Sequence, residues 1–342
     1  MSAALPRLSL TERRLSSTVE IQSYRSRHTG RDGLVGALVD PDAGIDVGAL
    51  SREGGPLAPS RRAWLCAQAG FEASAKETSA RLVAAFHGKR LLNLIINDRG
   101  RFIVALLALD LHFRDDVPDA GLTSGRLKRL CSEMGVCSPT RVASLLALMR
   151  LGDFVRATPS PGDRRRRVLV PTARLIASQR TRWRCHLEGS APFLPEAQRA
   201  IAALESEAFI AVMVRVLADH FYGGLRILDL VPGLRLFGER TGGIFVVLAL
   251  LAAADSAALR GEKPVETSVS DLARRTGTSR AHIIKLLGDA AAEGFIDRRE
   301  NREIILQPRL VNTAHDFLAV GYLFLNYAAK LAFARIDDAG HG

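Results

Sequence analysis

Four consecutive arginines, Arg164, Arg165, Arg166 and Arg167, are the residues of this chain best suited to chemistry, and that chemistry is the gripping of a polyanion. Each guanidinium stays charged at any physiological pH and presents a planar fork of donors that fits a phosphate or a base edge. On an extended strand they alternate sides, so about half can enter a minor groove while the others neutralise phosphates. A second polar group comes just before them. Ser138, Thr140, Arg141 and Ser144 are spaced to lie together on the outer face of one helix. From the first turns of that helix Arg141 would reach guanine O6 and N7 bidentately. Ser138 and Thr140 would meet a phosphate or a base edge, with the helix N-terminus favouring phosphate. Catalytic spacings are missing from the sequence. Its eight histidines (His28, His87, His112, His186, His220, His282, His315, His341) form no His-x-x-x-His pair and no Cys-His cluster. No Gly-Ser-x-Gly run or phosphate loop accompanies them. We therefore expect no enzyme, no cofactor and no metal site.

The elements that must carry these residues run from Thr123 to Thr172. Leu127, Leu130 and Met134 make one apolar stripe, and Gly135 ends that helix. Ser138 and Pro139 open a second helix as N-cap and first turn. There Val142, Leu145 and Met149 face inward and Gly152 closes it. Phe154–Ala157 reads as a strand, Thr158–Asp163 as a turn and Arg165–Val170 as the returning strand. Two helices joined by a Gly-containing turn, with a basic hairpin behind them, predict a winged helix-turn-helix. That shape lays its second helix in a DNA major groove and its hairpin against the backbone.

At the hairpin the chain resembles the MarR family of bacterial transcription regulators. The wing signature of that family is Asp, any residue, Arg, five residues, then Leu-Thr. Asp163, Arg165 and Thr172 match it, and Pro171 stands where Leu is usual. The resemblance covers about half of each repeat unit described below, and only the first unit carries the wing motif. It implies that Asp163 orders the wing, Arg165 enters the minor groove and Thr172 starts the next helix. It also implies a core of interlocked terminal helices presenting two wings one DNA turn apart, and a small aromatic or phenolic acid as effector between core and readers. His87, His112, His186 and His220 lie on or near the core helices. We read them first as ordinary core or surface residues and only second as contacts to such a ligand.

Charge is distributed unevenly enough to matter. The formal total is +11, yet residues 1–60 sum to 0, residues 61–190 to +12 and residues 191–342 to −1. The whole excess sits on the segment with the reader, which favours a polyanionic partner over a uniformly solvated surface. With 342 residues and 47% hydrophobic content, the chain can bury two or more cores. No secretory signal is read at its start, and a cytoplasmic protein is expected. The longest apolar stretch, 317–334, contains Asn326 and Lys330 and reads as a buried dimer-type helix rather than a membrane span. Cys66, Cys131, Cys137 and Cys185 show no zinc spacing. Cys131 and Cys137 flank the reader's turn, where buried reduced thiols are the plainer reading and a thiol switch the sharper one.

Taken in order, residues 1–60 are rich in Gly, Pro, Ser and Arg and read as a flexible or loosely packed arm. Residues 61–190 form a first unit: a helix over 61–86, a central apolar helix over 101–113, the reader, the wing and a closing helix over 172–187. Residues 191–342 repeat that order, with a helix over 196–221, a second reader over 265–307 and a closing helix over 310–336. The segments Leu91–Ile96 and Ile227–Val231 also match across the two units. Aligned without a gap at an offset of 142, Gly135 falls on Gly277, Gly152 on Gly294, Val104 on Val246 and Arg156 on Arg298, which predicts an internal duplication. In that register Ile283 and Leu286 replace Arg141 and Ser144, leaving Arg280, His282 and Lys285 as the polar candidates of the second reader. Its wing is shorter and carries Arg298, Arg299 and Arg302.

The expected architecture is mainly α with small β-wings, two tandem winged helix-turn-helix domains joined through a long-helix core. The expected function is a sequence-specific transcription regulator, a repressor, that grips double-stranded DNA as a single-chain pseudo-dimer or as a homodimer of such chains, on an imperfect inverted repeat. The DNA contacts would come from Ser138, Thr140, Arg141, Ser144, Arg156, Arg164–Arg167, Arg280, His282, Lys285, Arg298, Arg299 and Arg302. Two alternatives stay open: a plasmid-type replication initiator on direct repeats, and a winged-helix scaffold that docks proteins.

Overall fold

The computed structural model describes Leu34, Leu38 and residues 45–86, 99–114, 121–160, 163–299 and 303–340. It is mainly helical, with two small two-stranded antiparallel sheets. The first half comprises α1 (Val47–Ser51), α2 (Pro59–Cys66), α3 (Phe71–Phe86), α4 (Arg99–Phe113), α5 (Ser124–Glu133) and α6 (Pro139–Leu151). The hairpin β1 (Val155–Ser160) and β2 (Asp163–Pro171) and the helix α7 (Ala173–Ser190) follow. The second half begins with α8 (Glu196–Ala203), α9 (Glu207–Tyr222), α10 (Ile227–Leu230), α11 (Arg235–Gly238) and α12 (Gly243–Ala253). It continues through α13 (Ser256–Leu259), α14 (Val269–Thr276), α15 (Arg280–Ala292), β3 (Ile296–Arg298) and β4 (Ile304–Leu306) to α16 (Pro308–Ala339).

Helices α4 and α12 are apolar on every side, which is stable only with neighbours on every side. Val104–Leu111 of α4 and Val246–Leu251 of α12 are accordingly buried without interruption. The helix that covers each of them comes from the other half. α3 packs along α12 and α9 packs along α4, while α7 and α16 cross each other between the halves. One continuous core results, running through both. α16 is long and apolar enough to cross a membrane, and two thirds of its most apolar window is buried against these other helices.

Buried polar groups tie the halves together. Arg114 donates from Nε to both carboxylate oxygens of Asp110 at 3.0 Å, from Nη1 to the Leu38 carbonyl at 2.8 Å, and from Nη2 to Asp219 of α9. Tyr222 closes the ring by donating to Asp110 at 2.6 Å, and Arg335 of α16 meets Asp219 at 2.9 Å. A second junction joins the hydroxyls of Thr78 on α3 and Tyr322 on α16 at 2.6 Å.

Three expectations about elements need correction. The helix expected over 61–86 is two helices, interrupted at Gly70, where φ is +84°. The helix expected over 196–221 breaks after Ala203, because the Ser206 hydroxyl accepts from the Phe209 amide at 3.3 Å and starts α9 afresh. The arm over 1–60 is not loose throughout. Asp46 caps α1, and Leu38, Leu50 and Leu57 are buried in the core. The matching segment Leu91–Ile96 lies outside the described residues.

Candidate nucleic-acid interface

The frame that holds the candidate contacts occurs twice, down to individual hydrogen bonds. The Ser138 hydroxyl caps α6 by accepting from the Arg141 amide at 3.3 Å, and the Ser279 hydroxyl caps α15 by accepting from the His282 amide at 3.2 Å. Val142, Leu145, Leu146 and Met149 face the core in α6; Ile283, Leu286, Leu287 and Ala290 do so in α15. Each helix ends in a left-handed residue, Asp153 at φ +56° and Gly294 at φ +71°. This turn lets the Phe154 amide reach the Met149 carbonyl (2.8 Å) and the Phe295 amide reach the Ala290 carbonyl (2.9 Å). Behind each hairpin an arginine lies over the phenylalanine ring, Arg174 at 4.7 Å from Phe154 and Arg309 at 4.2 Å from Phe295. Each also donates to a carbonyl at the end of the exposed helix, Gly152 or Glu293. These two arginines were not anticipated, because the hairpins differ in length and the ungapped repeat never aligned them.

The same frame corrects the register of the second helix. The turn before α6 runs Gly135-Val136-Cys137-Ser138, whereas the turn before α15 runs Gly277-Thr278-Ser279, one residue shorter. Beyond the turn the offset is therefore 141, not 142. Ile283 and Leu286 do not replace Arg141 and Ser144: they match Val142 and Leu145, and both are fully buried. His282 and Lys285 occupy the places of Arg141 and Ser144, so the outward face of α15 is polar, with Ile284 as its exposed apolar residue. Gly152 likewise matches Glu293, and Arg156 matches Asp297 rather than Arg298. Placing a charge at Ile283 tests this register. Ile283→Arg should lower the unfolding free energy by about 3 kcal/mol or more, by burying a cation without a partner. His282→Arg should change it by less than about 0.5 kcal/mol. Equal melting temperatures for the two variants would return the register to 142.

The first reader offers Ser138, Thr140, Arg141 and Ser144 together on an exposed face, with the Ser144 hydroxyl donating back to the Thr140 carbonyl at 3.1 Å. Arg280 and Lys285 are exposed on the second, and His282 is half-buried. Arg156 is exposed and already has a partner. It forms a two-pronged ion pair with Asp153 at 2.8 and 3.0 Å, so both charges are partly neutralised at the base of the hairpin. The Arg156 guanidinium holds the Asp153 carboxyl below its usual range.

The hairpin itself is longer than expected. The ladder pairs Val155 with Pro171 and continues to Pro159 with Arg167, then shifts so that Ser160 pairs with Asp163. The strands therefore reach Ser160 and begin again at Asp163, inside the six residues expected as a turn. Arg164, Arg165 and Arg166 fall in the register shift; their side chains lie outside the described residues, and Arg167 is exposed. Thr172 stands at the N-cap position of α7, but its hydroxyl donates to the Asp153 carbonyl at 2.6 Å instead of capping the helix. In the second hairpin Arg298 is half-buried, Arg299 is exposed and bonds through its amide to the Glu303 carbonyl at 3.3 Å, and Arg302 lies outside the described residues.

Of the thiols flanking the first turn, Cys131 is fully buried. Burial, with Cys137 beside it, pushes the Cys131 thiol up to about 12, far from the thiolate that reactivity requires. Of the core histidines, His220 is buried with Nδ1 2.7 Å from the Val216 carbonyl, His112 lies tilted beside Phe113 with ring centroids 5.1 Å apart, and His87 lies outside the described residues. His186 lines a cavity between the halves. The chain matches no protein-family model, no curated protein and no solved structure.

Proposed function

We propose that the chain is a sequence-specific double-stranded-DNA-binding transcription regulator, a repressor working in the cytoplasm, built as two unequal winged helix-turn-helix domains fused into a pseudo-dimer. The observation that supports this best is the repeated frame. Two serine-capped helices each turn a polar outer face away from the core and are each backed by a hairpin, and the +12 excess of charge falls on residues 61–190, the segment that carries the first of them. Helix α6 is the main reader, with Arg141 on guanine and Ser138, Thr140 and Ser144 on phosphate or base edges. The arginine run grips the backbone and the minor groove. Helix α15 is the weaker reader. Arg280 and Lys285 meet phosphates, and Ile284 is suited to a thymine methyl. The MarR-like wing motif at Asp163, Arg165 and Thr172 agrees with this reading.

Footprinting on the DNA upstream of the chain's own coding region tests it, with wild type beside the Arg164–Arg167 to alanine variant. A single protected imperfect inverted repeat, lost in the variant, is the expected result. Protection of iterated direct repeats would replace the regulator by a replication initiator. No protection at all would leave the frame as a protein dock.

A further inference from the structure

The two readers share a frame but not a charge. From Thr123 to Thr172 the first unit carries ten Lys and Arg against three Asp and Glu, whereas from Val265 to Gln307 the second carries seven against seven. Ion pairs widen this difference. On α14, the helix before the second reader, Asp271 holds both Arg274 and Arg275, the latter at 2.6 Å. In the first unit the place of Asp271 is taken on α5 by Arg129, which is exposed. At the base of the second hairpin Asp297 stands in the place of Arg156, and it accepts from the Gln307 side chain at 2.6 Å.

The hairpins also differ in reach. At about 3.3 Å per residue, the six residues of β1 extend about 20 Å, and β3 with its three residues about 10 Å. The arginine run lies at the outer end of the longer hairpin, between the Pro159–Arg167 pair and the Ser160–Asp163 pair. The second ladder ends at Arg298, which is half-buried, and between its strands the sequence sets Glu300 and Glu303 among Arg299 and Arg302. A narrow A·T-rich minor groove concentrates negative potential, which draws in arginine and repels carboxylate. The first hairpin has the length and the charge to enter such a groove, and the second has neither.

We propose that the chain reads its operator with a fixed polarity: it requires a narrow, A·T-rich minor groove beside the half-site met by α6, and none beside the half-site met by α15. This rests on the DNA reading given above and adds to it the shape of the target. A dimer of identical subunits presents the same wing to both half-sites, so turning its operator end for end changes nothing. Here the two ends of the bound chain differ, and turning the operator reverses which unit faces a promoter on one side.

The test uses the footprinted site with A·T pairs placed beside both half-sites. The full chain is titrated on it with 2,6-diaminopurine replacing the adenines beside one half-site, then beside the other. That base adds an amino group in the minor groove and keeps the N6 and N7 edge of adenine in the major groove, so neither reader helix meets a change. Substitution on one side should weaken binding by about tenfold, the size of one lost base-pair contact, and on the other by less than about twofold. At low salt the Arg164–Arg167 to alanine variant should lose this sensitivity, whereas Arg299→Ala combined with Arg302→Ala should keep it. Equal weakening from both sides, no weakening from either, or a sensitivity that survives in the Arg164–Arg167 variant would each overturn the polarity while the site is still bound. No protected site on any of the duplexes would instead remove the DNA reading itself, and the polarity with it.

Discussion

Replacing Arg114 by methionine is expected to lower the free energy of unfolding by about 3–5 kcal/mol, the range found when one partner is removed from a buried ion pair. The reason lies in what remains. Asp110 is fully buried and Asp219 nearly so, and Arg114 is the cation that bonds to both. Removing the cation leaves Asp110 with no counter-charge and only the Tyr222 hydroxyl, while Asp219 keeps Arg335, so Asp110→Asn combined with Arg114→Met should cost less than Arg114→Met alone. Denaturant titrations of the three variants measure the difference, and an Arg114→Met cost under about 1 kcal/mol would show the network to be dispensable. The same network gives a pH dependence of known sign. Burial pushes Asp110 from its ordinary 3.8 up to about 6, although Arg114 and Tyr222 pull the other way. The native state then holds this proton more tightly than the unfolded chain. The linked stabilisation is complete below the unfolded value and is lost as pH rises through 6. Asp110→Asn should remove that part of the decline between about pH 4 and pH 6.

Converting Arg164–Arg167 to alanine is expected to lower DNA affinity by ~10²-fold at moderate salt, and to do so mainly through the salt-dependent part of binding. Each neutralised phosphate contributes about 0.9 to the slope of log affinity against log salt. If two to four of these arginines meet phosphates, the slope falls by about two to four units. Anisotropy titrations on the footprinted site at four salt concentrations separate this from a loss of base reading, since Arg141→Ala should relax sequence preference at one position and move the slope by about one unit or less. Arg167 stays in the ladder, and Arg164, Arg165 and Arg166 fall between two paired residues of the strand. An unchanged slope would remove the run from the interface.

Much of this was readable from residue types. The serine caps at Ser138 and Ser279, the inward stripes of α6 and the paired hairpins follow from local rules, and local rules operate within a few residues. The breaks at Gly70 and Ser206 were hidden because apolar periodicity resumes on the far side of each. The one-residue deletion before α15 was hidden because Ile283, Ile284 and Leu286 offer apolar choices in either register, and only burial tells them apart. The exchange of α3 and α9 between central helices cannot be seen in any pattern, since one apolar face suits either partner. Arg182 is one of four arginines in α7; what singles it out is that no described carboxylate pairs with it, a property of three-dimensional neighbours alone.

The exchange of α3 and α9 also decides when the protein can exist. A chain synthesised from its N-terminus exposes α4 before α9 has been made, and α3 has to wait for α12. The first half must therefore remain uncommitted, with apolar helices open to solvent, until the second half has left the ribosome. A truncated chain ending at residue 190 should show no cooperative melting transition, and mixing it with a separate 191–342 fragment should restore one. Fusion in a single chain turns what would be a bimolecular encounter into a tethered one, so assembly no longer depends on concentration.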